Sequence, residues 1–370
     1  MAESSWPDDS APEISIIVPA RNEEVSLGDC LQSLTAQRDL AFEIIVVDDG
    51  STDRTREIAE SFAGVRVISA PALCQHWTGK NNALVAGSKA ARAQWLLFTD
   101  ADTVHLPGSL ARALNEARAR GEAREAAIDL LSYSPQQVVL TFAERAVMPV
   151  VFAELAAQYP PHKVRQQNSN ITAANGQYIL VRRAAYDAVG GHAAVATEIL
   201  EDVALARLFR ESGKEVYFRY GGDVVRTRMY RNWAQLEEGW TKNLALLFPQ
   251  AIRLAWQSLL FWCLAWSSLA IALSGVVAHQ LFRMAFVFFG ALVYRRIRVA
   301  HFSMINNLIA MACGLPMFAY LLLRSKRAHG EGQVSWKGRA YEVSSRRESA
   351  SVAKESKIGE IKNQELRAEN

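Results

Sequence analysis

Two uncharged apolar runs constrain this chain more than any other feature: residues 254–278 and 302–323 contain no Asp, Glu, Lys or Arg. Each is longer than the about 20 residues that a helix needs to cross the hydrocarbon core of a bilayer, so both are read as membrane spans. Arg295, Arg296 and Arg298 lie between the runs, and Arg324, Lys326 and Arg327 follow the second. Such clusters point to anionic head groups at a cytoplasmic surface, the plainer alternative being solvated loop charges. The stretch 281–294 holds Arg283 and only about eleven uncharged residues after it, short of a normal span. A tilted crossing, a re-entrant piece and an interfacial helix all stay open for it. With both ends of the region cytoplasmic the number of crossings is even, and two are expected.

Ahead of the runs, short β-rich segments alternate with helical ones, which is the pattern of parallel strands joined by crossover helices. Strands are expected at 14–18, 44–47, 65–69, 95–99, 128–133 and 172–181. Helices are expected at 23–37, where Val25, Leu27, Leu31 and Leu34 supply most of an apolar face, and at 201–212. Ser51 or Thr52 is expected to cap the helix after the second strand. The segment 138–159 is apolar but carries Glu144, Arg145 and Glu154, too much charge for a span. It reads either as an interfacial helix or as one packed in the core. The chain is expected to divide into an N-terminal tail (1–13), an α/β domain (14–250), membrane helices (251–324) and a polar, largely disordered cytoplasmic tail (325–370).

The formal charge of +3 and the absence of a basic stripe with interleaved aromatics exclude a nucleic-acid binder. Cys30, Cys74, Cys263 and Cys313 form no ligand spacing, which suits a reduced cytosolic compartment. Asp8 and Asp9, with no apolar core before Ile14, do not read as a signal peptide.

Charged motifs follow the carboxyl ends of the strands, where open α/β sheets bind ligands. Asp100-Ala101-Asp102 follows Trp95-Leu96-Leu97-Phe98-Thr99, so a buried strand delivers two carboxylates to the crevice. Hard divalent cations, Mg2+ or Mn2+, favour such ligands and complete their shell with water and substrate phosphates. Alone, an acidic pair of this kind is common on loops. Gly79-Lys80 is not a P-loop, because Cys74 stands where that loop needs glycine and Asn81 where it needs a hydroxyl. There is no GxGxxG after the first strand, which argues against a dinucleotide oxidoreductase. A sugar-phosphate nucleotidyltransferase would carry a glycine-rich basic loop in place of Pro19-Ala20-Arg21-Asn22-Glu23.

That pentad, then Asp48-Asp49-Gly50-Ser51, then Gly79-Lys80, then Asp100-Ala101-Asp102, is in order and spacing similar to the family 2 glycosyltransferases, across residues 14–248. The resemblance implies a GT-A type α/β fold, a Rossmann-like mixed but mainly parallel sheet flanked by helices, followed here by C-terminal transmembrane helices. It also implies that Pro19, Arg21 and Glu23 edge a nucleotide pocket, that Asp48 or Asp49 accepts bonds from base or ribose, and that Lys80 places positive charge near the base or phosphates. Asp102 would be the stronger metal ligand, with Asp100 acting directly, through water or on the donor ribose.

In the second half, Glu201-Asp202 stands where this family carries its ED motif, so Asp202 is implied as the general base of a single, inverting displacement. The plainer reading is that both acids favour a helix N-terminus. Gln177 is placed on the floor of the acceptor site. His192 either touches the acceptor or is structural, and Arg228 either meets the diphosphate or the membrane. Residues 235–240 resemble a degenerate QxxRW motif: Leu236 and Gly239 replace its glutamine and arginine, which argues against a processive synthase, while Trp240 can still stack near the acceptor.

The layout as a whole is similar to bacterial carotenoid and hopanoid-associated lipid glycosyltransferases. It shares Gly190-Gly191-His192, Arg228-Met229-Tyr230, Glu238-Gly239-Trp240-Thr241-Lys242-Asn243 and Val334-Ser335-Trp336-Lys337-Gly338-Arg339-Ala340-Tyr341 with them. The resemblance implies a multi-pass protein of the cytoplasmic membrane with its catalytic domain facing the cytoplasm. It would move one sugar from a UDP- or GDP-sugar to an isoprenoid-type membrane lipid. A polysaccharide or other glycolipid synthase of the family, and an inactive nucleotide-sugar-binding scaffold, are the alternatives.

Overall fold

The computed structural model of the chain describes residues 11–38, 40–123, 128–166, 169–273 and 279–342. In chain order the strands are β1 (Ile14–Ala20), β2 (Phe42–Asp48), β3 (Val65–Ser69), β4 (Trp95–Phe98), β5 (Thr103–His105), β6 (Leu130–Ser134), β7 (Gln136–Gln137), β8 (Ile179–Arg182), β9 (Val216–Tyr220), β10 (Val225–Thr227), β11 (Gln333–Trp336) and β12 (Arg339–Glu342). The helices are α1 (Leu27–Thr35), α2 (Thr55–Glu60), α3 (Gly79–Ala90), α4 (Ser109–Ala123), α5 (Phe142–Gln158), α6 (Pro161–Val164), α7 (Arg183–Ala188), α8 (Glu201–Glu211), α9 (Trp233–Leu247), α10 (Ala251–Leu273), α11 (His279–Ile297), α12 (Met304–Ile309) and α13 (Leu315–Gly330).

Seven strands form one sheet in the order β3-β2-β1-β4-β8-β6-β9. Its pairs are parallel except where β8 runs against β4 and β6. Strands β1, β2 and β4 read as largely apolar runs because both faces are covered. On β1, Ile14, Ile16 and Val18 join a core with α1 and α4, while Ile17 joins one with α3 and α8. After β3 the chain returns to the far side of β1 to lay down β4. That reversal of strand order opens a crevice at the carboxyl ends of β1, β2 and β4. A small sheet, β5-β10-β7, lies beside that end.

Two details set the helix that faces the crevice. A Cβ on Gly87 would come within 2.4 Å of the Ile17 side chain, so glycine there lets α3 lie close on the sheet. At the other end Thr78 caps α3 by accepting from the Asn81 amide at 3.2 Å. The Asn81 side chain in turn donates to the carbonyls of Val195, Ala196 and Glu198, tying α3 to the loop that leads into α8.

Several elements depart from expectation. Helix α1 starts at Leu27, not at residue 23, because the amides of Asn22, Glu23 and Glu24 are bound by Ser51, Thr55 and Asp53 across the loop. The same bonds take Ser51 and Thr52 away from capping: Thr52 donates to Asn22, and Asp53 accepts from the Thr55 amide at the start of α2. Of the stretch 172–181 only Ile179 onward is strand, since the Asn175 and Gly176 amides turn aside to Ser132 and Asp202.

Segment 138–159, open between two readings, forms α5 and is packed inside. Val147, Met148, Val150 and Val151 share a core with Trp240 and Leu244 of α9, Ala255 of α10, Val293 of α11 and Phe318 of α13. This core straddles residue 250. Its buried acids are matched, Glu144 by Arg228 and Glu154 by Arg296. Among the described residues two helices are long and apolar enough to cross a membrane, Ala251–Ile271 and Met304–Gly330. The second contains a π turn at Ala310–Gly314, followed by Pro316. Proline offers no amide to Ala312 four residues back, and the Trp262 indole donates to that carbonyl at 2.8 Å instead. Gly314 sits against the backbone of α5, where a Cβ would lie 2.1 Å from the Ala146 carbonyl oxygen.

The stretch expected to be a largely disordered tail begins at residue 325, and its first part, to residue 342, is folded. Helix α13 continues to Gly330, and β11 and β12 pair as an antiparallel hairpin. The remainder of that stretch, 343–370, and most of the N-terminal tail lie outside the described residues.

Candidate active site

A cavity of about 1000 Å³ opens at the carboxyl ends of β1, β2 and β4 and runs beneath α5. Pro19, Arg21, Glu23, Asp49, Lys80, Asp100, Asp102, Gln177, Glu201, Asp202, Arg228 and Trp240 all line it. Asp48 and His192 do not. The Asp48 carboxylate accepts from the Ser51 amide at 3.0 Å and meets Arg56, so it fixes the Asp48-Asp49-Gly50-Ser51 turn and leaves Asp49 facing the cavity. His192 is buried, stacks edge-on against Phe98, and has its Nδ1 3.0 Å from the Tyr186 hydroxyl. Burial, with Lys80 adding to it, pushes its pKa down to about 3, which favours the neutral imidazole.

Lys80 stands at the centre. Delivered by the first turn of α3, its ammonium lies 2.7 Å from Asp100 and 2.7 Å from Glu201. Burial pulls its pKa down, but the two carboxylates outweigh that and hold it well above the ordinary lysine value. Gly176 passes directly over this group: a Cβ there would be 3.0 Å from the ammonium and 3.2 Å from Glu201. Its amide donates to Asp202 at 2.9 Å, and the Val203 amide donates to the other oxygen at 2.8 Å. Burial, then the neighbouring Glu201, nonetheless raises the Asp202 pKa to about 6.

Asp102 is different. Among the described residues its Oδ1 is buried with no hydrogen-bond partner. Burial first, then Asp100 and Glu23, pushes its pKa up to about 8. A buried carboxylate beside two others calls for a cation. The loop carrying it is held from behind, where Thr103 donates to the Asp100 carbonyl at 2.7 Å and Thr99 to the Gln177 carbonyl at 2.8 Å. No group of three or more His, Cys, Asp or Glu is gathered as a metal cage among the described residues. Two carboxylates completed by substrate phosphates are nevertheless a usual donor set for a hard cation.

On the far side the wall changes character. Phe152, Ala153 and Ala156 of α5, Leu247 of α9, and Val299 and Ala300 supply an apolar lining. Gln177 is tied to Thr227 at 3.2 Å, Arg228 forks onto Glu144, and Trp240 is packed in the helical core.

Residues 15–190 match the model of glycosyl transferase family 2. The chain carries a family 2 glycosyltransferase domain. The glycosyltransferase is 29% identical over 348 residues to the 4,4'-diaponeurosporenoate glycosyltransferase of Staphylococcus aureus strain USA300, covering 90% of this chain and 88% of that one. Its sheet is mixed and mainly parallel, with apolar helices after it. Solved structures of similar fold include the mannosyltransferase PcManGT of Pyrobaculum calidifontis in complex with GDP-Man and Mn2+. That likeness has 16% identity, coverage of 90% and 89%, and a TM-score of 0.45. Another is glucosyl-3-phosphoglycerate synthase of Mycobacterium tuberculosis with Mn2+ and UDP-glucose, at 22% identity, coverage of 64% and 77%, and a TM-score of 0.42.

Sequence reasoning noted the segment Val334–Tyr341 as a shared feature but gave it no place in the cavity. Trp336 and Lys337 line the cavity, and Arg339 is ion-paired with Asp49. A signal was present: Gln333-Val334-Ser335-Trp336 and Arg339-Ala340-Tyr341-Glu342 flank a Lys-Gly pair, the layout of a hairpin with a two-residue turn.

Proposed function

We propose that this glycosyltransferase is inverting, metal-dependent and non-processive, and moves one sugar from a UDP- or GDP-sugar to an isoprenoid-type membrane lipid. The observation that carries the reading is the single cavity itself. Lys80 joins the Asp100 side to the base-bearing start of α8, and the same space continues into an apolar wall shared with the membrane-type helices.

Asp49, Arg21 and Pro19 form the nucleoside end, and Asp102 with Asp100 would hold Mg2+ or Mn2+. When bound, the metal supplies positive charge to the diphosphate leaving group. Asp202 takes the proton of the acceptor hydroxyl as it attacks the anomeric carbon. A base with a pKa near the working pH is well matched to that task, and the two backbone amides fix its orientation. Attack from the face opposite the diphosphate inverts the sugar.

Exposed Trp256, Leu260 and Leu273 of α10, with Leu281, Met284 and Phe288 of α11, give the helical layer an apolar outer face suited to lipid. The catalytic domain then faces the cytoplasm, where nucleotide-sugars are made available, and the acceptor slides from the bilayer into the apolar end of the cavity. The relative named for a carotenoid carboxylic acid supports a long isoprenoid acceptor.

The test is mass spectrometry of lipids from cells with and without the gene, followed by transfer assays in membranes with several nucleotide-sugars. One missing monoglycosylated lipid, restored in vitro, is expected. A ladder of polymer products, or label in a water-soluble acceptor, overturns the reading.

A further inference from the structure

The chain leaves the sheet, passes through the apolar helices and then comes back to the charged end of the cavity. It does so in the hairpin β11–β12, whose turn residues Lys337 and Gly338 both have positive φ, 47° and 75°. That is a type I′ turn, the tight connection whose twist matches paired strands. The hairpin is built into the fold: Val334 is buried, Trp336 packs on the helical core and Ser335 reaches Glu238 of α9.

Its tip meets the acids assigned to the donor pocket. The Lys337 ammonium is ion-paired with Glu23 and lies 3.2 Å from the Arg21 carbonyl oxygen. Arg339 forks onto Asp49, with Nη2 3.2 Å from Oδ1. Gly79 leaves room for that pair, since a Cβ there would overlap both partners. Trp336 holds a third cation, with the Lys242 ammonium 4.9 Å from its ring centre. Among the described residues Lys242 makes no hydrogen bond or ion pair through that ammonium; burial pulls its pKa down, Lys80 adding to this while Glu201, Asp100 and Asp202 act against it.

We propose that this C-terminal hairpin is part of the donor site: Lys337 and Lys242 bind the diphosphate of the nucleotide-sugar opposite Asp100 and Asp102, and Arg339 positions Asp49. The proposal rests on the nucleotide-sugar reading above. Lys337 and Lys242 line the same cavity as the acidic pair from two elements, the turn and α9, so a diphosphate between them takes Lys337 from its single carboxylate, Glu23, and gives Lys242 the anionic partner it lacks among the described residues. Arg339 stays on Asp49 and sets the direction in which that carboxylate meets the nucleoside.

The experiment measures equilibrium binding of UDP, GDP and inorganic pyrophosphate, each with Mn2+, to the full chain in detergent or nanodiscs. Lys337→Asn is the decisive variant. Asn-Gly is the preferred type I′ pair, so the charge is removed while the turn is favoured. Lys337→Asn and Lys242→Gln are each expected to weaken all three ligands by about tenfold, the cost of one lost charge-assisted contact. Arg339→Ala is expected to weaken the nucleotides by a similar factor and to leave pyrophosphate within about twofold, with Arg339→Lys restoring part of the loss. If Lys337→Asn and Lys242→Gln bind all three ligands as the natural protein does, the proposal is wrong. Tighter binding by Lys337→Asn also overturns it, because the tip would then be a plug that the donor must displace. If the natural protein binds neither nucleotide, the donor reading fails instead.

Discussion

At the ends of β1, β2 and β4 the cavity wall is charge set against charge: Lys80 between Asp100 and Glu201, Arg339 on Asp49, Lys337 on Glu23. Beneath α5 the wall is Phe152, Ala153, Ala156 and Val299, placed by packing against the helical core. The first region depends on particular groups at particular positions, since a buried charge left without its partner is costly. The second accepts many residues of suitable volume. Donor chemistry should therefore fail abruptly under substitution and acceptor choice should shift by degrees.

The largest expected effect breaks the charged side. Asp102→Ala should lower transfer by roughly a thousandfold or more, on the order of 4 kcal/mol in the barrier, read as labelled sugar entering the lipid fraction with Mn2+ or Mg2+. Undiminished transfer would remove Asp102 from the metal site. Next comes Asp202→Asn, which should cost about 10²- to 10⁴-fold in kcat while nucleotide affinity stays within about twofold. Loss of nucleotide binding would instead make Asp202 a structural residue.

The same group is expected to set the pH profile. Its pKa is raised to about 6 and the base works only when ionised, so the rate should climb with pH through about 6 and then level off. That rising limb should vanish in Asp202→Asn; its persistence there would assign the titration elsewhere. On the apolar side, Ala156→Trp should cut kcat/KM for the lipid by about tenfold, the scale of overpacking a fitted wall, and leave nucleotide binding unchanged. A matching loss of nucleotide affinity would show that the two sides are not separable. The smallest effect is expected from Thr141→Ala. It removes the capping box of α5 at a cost of about 1 kcal/mol, measurable as a lower unfolding midpoint with donor binding intact.

The contrast also governs what was legible in the sequence. Strands β1, β2 and β4 are buried on both faces and so appear as apolar runs, and the motifs at their ends stand out as acids after such runs. The start of α1 was illegible because it is decided by bonds from Asn22, Glu23 and Glu24 to a loop about thirty residues away, which no local period records. Helix α5 had two readings because Glu144 and Glu154 look like surface charges until Arg228 and Arg296 are seen to neutralise them. The hairpin read as polar tail for the same reason. Its anchors lie at separations of 290 and 314 residues, and only the folded chain brings them together.

The hairpin has a consequence for how the protein is made. Ribosomes deliver the sheet first, then the apolar helices, and only afterwards residues 333–342. Until those ten residues have emerged and folded back, Asp49 and Glu23 lack their cations and Lys242 lacks its indole shelf. The order of synthesis thus acts as a licence: the pocket cannot be completed before the helices that would seat it in the bilayer have already been made.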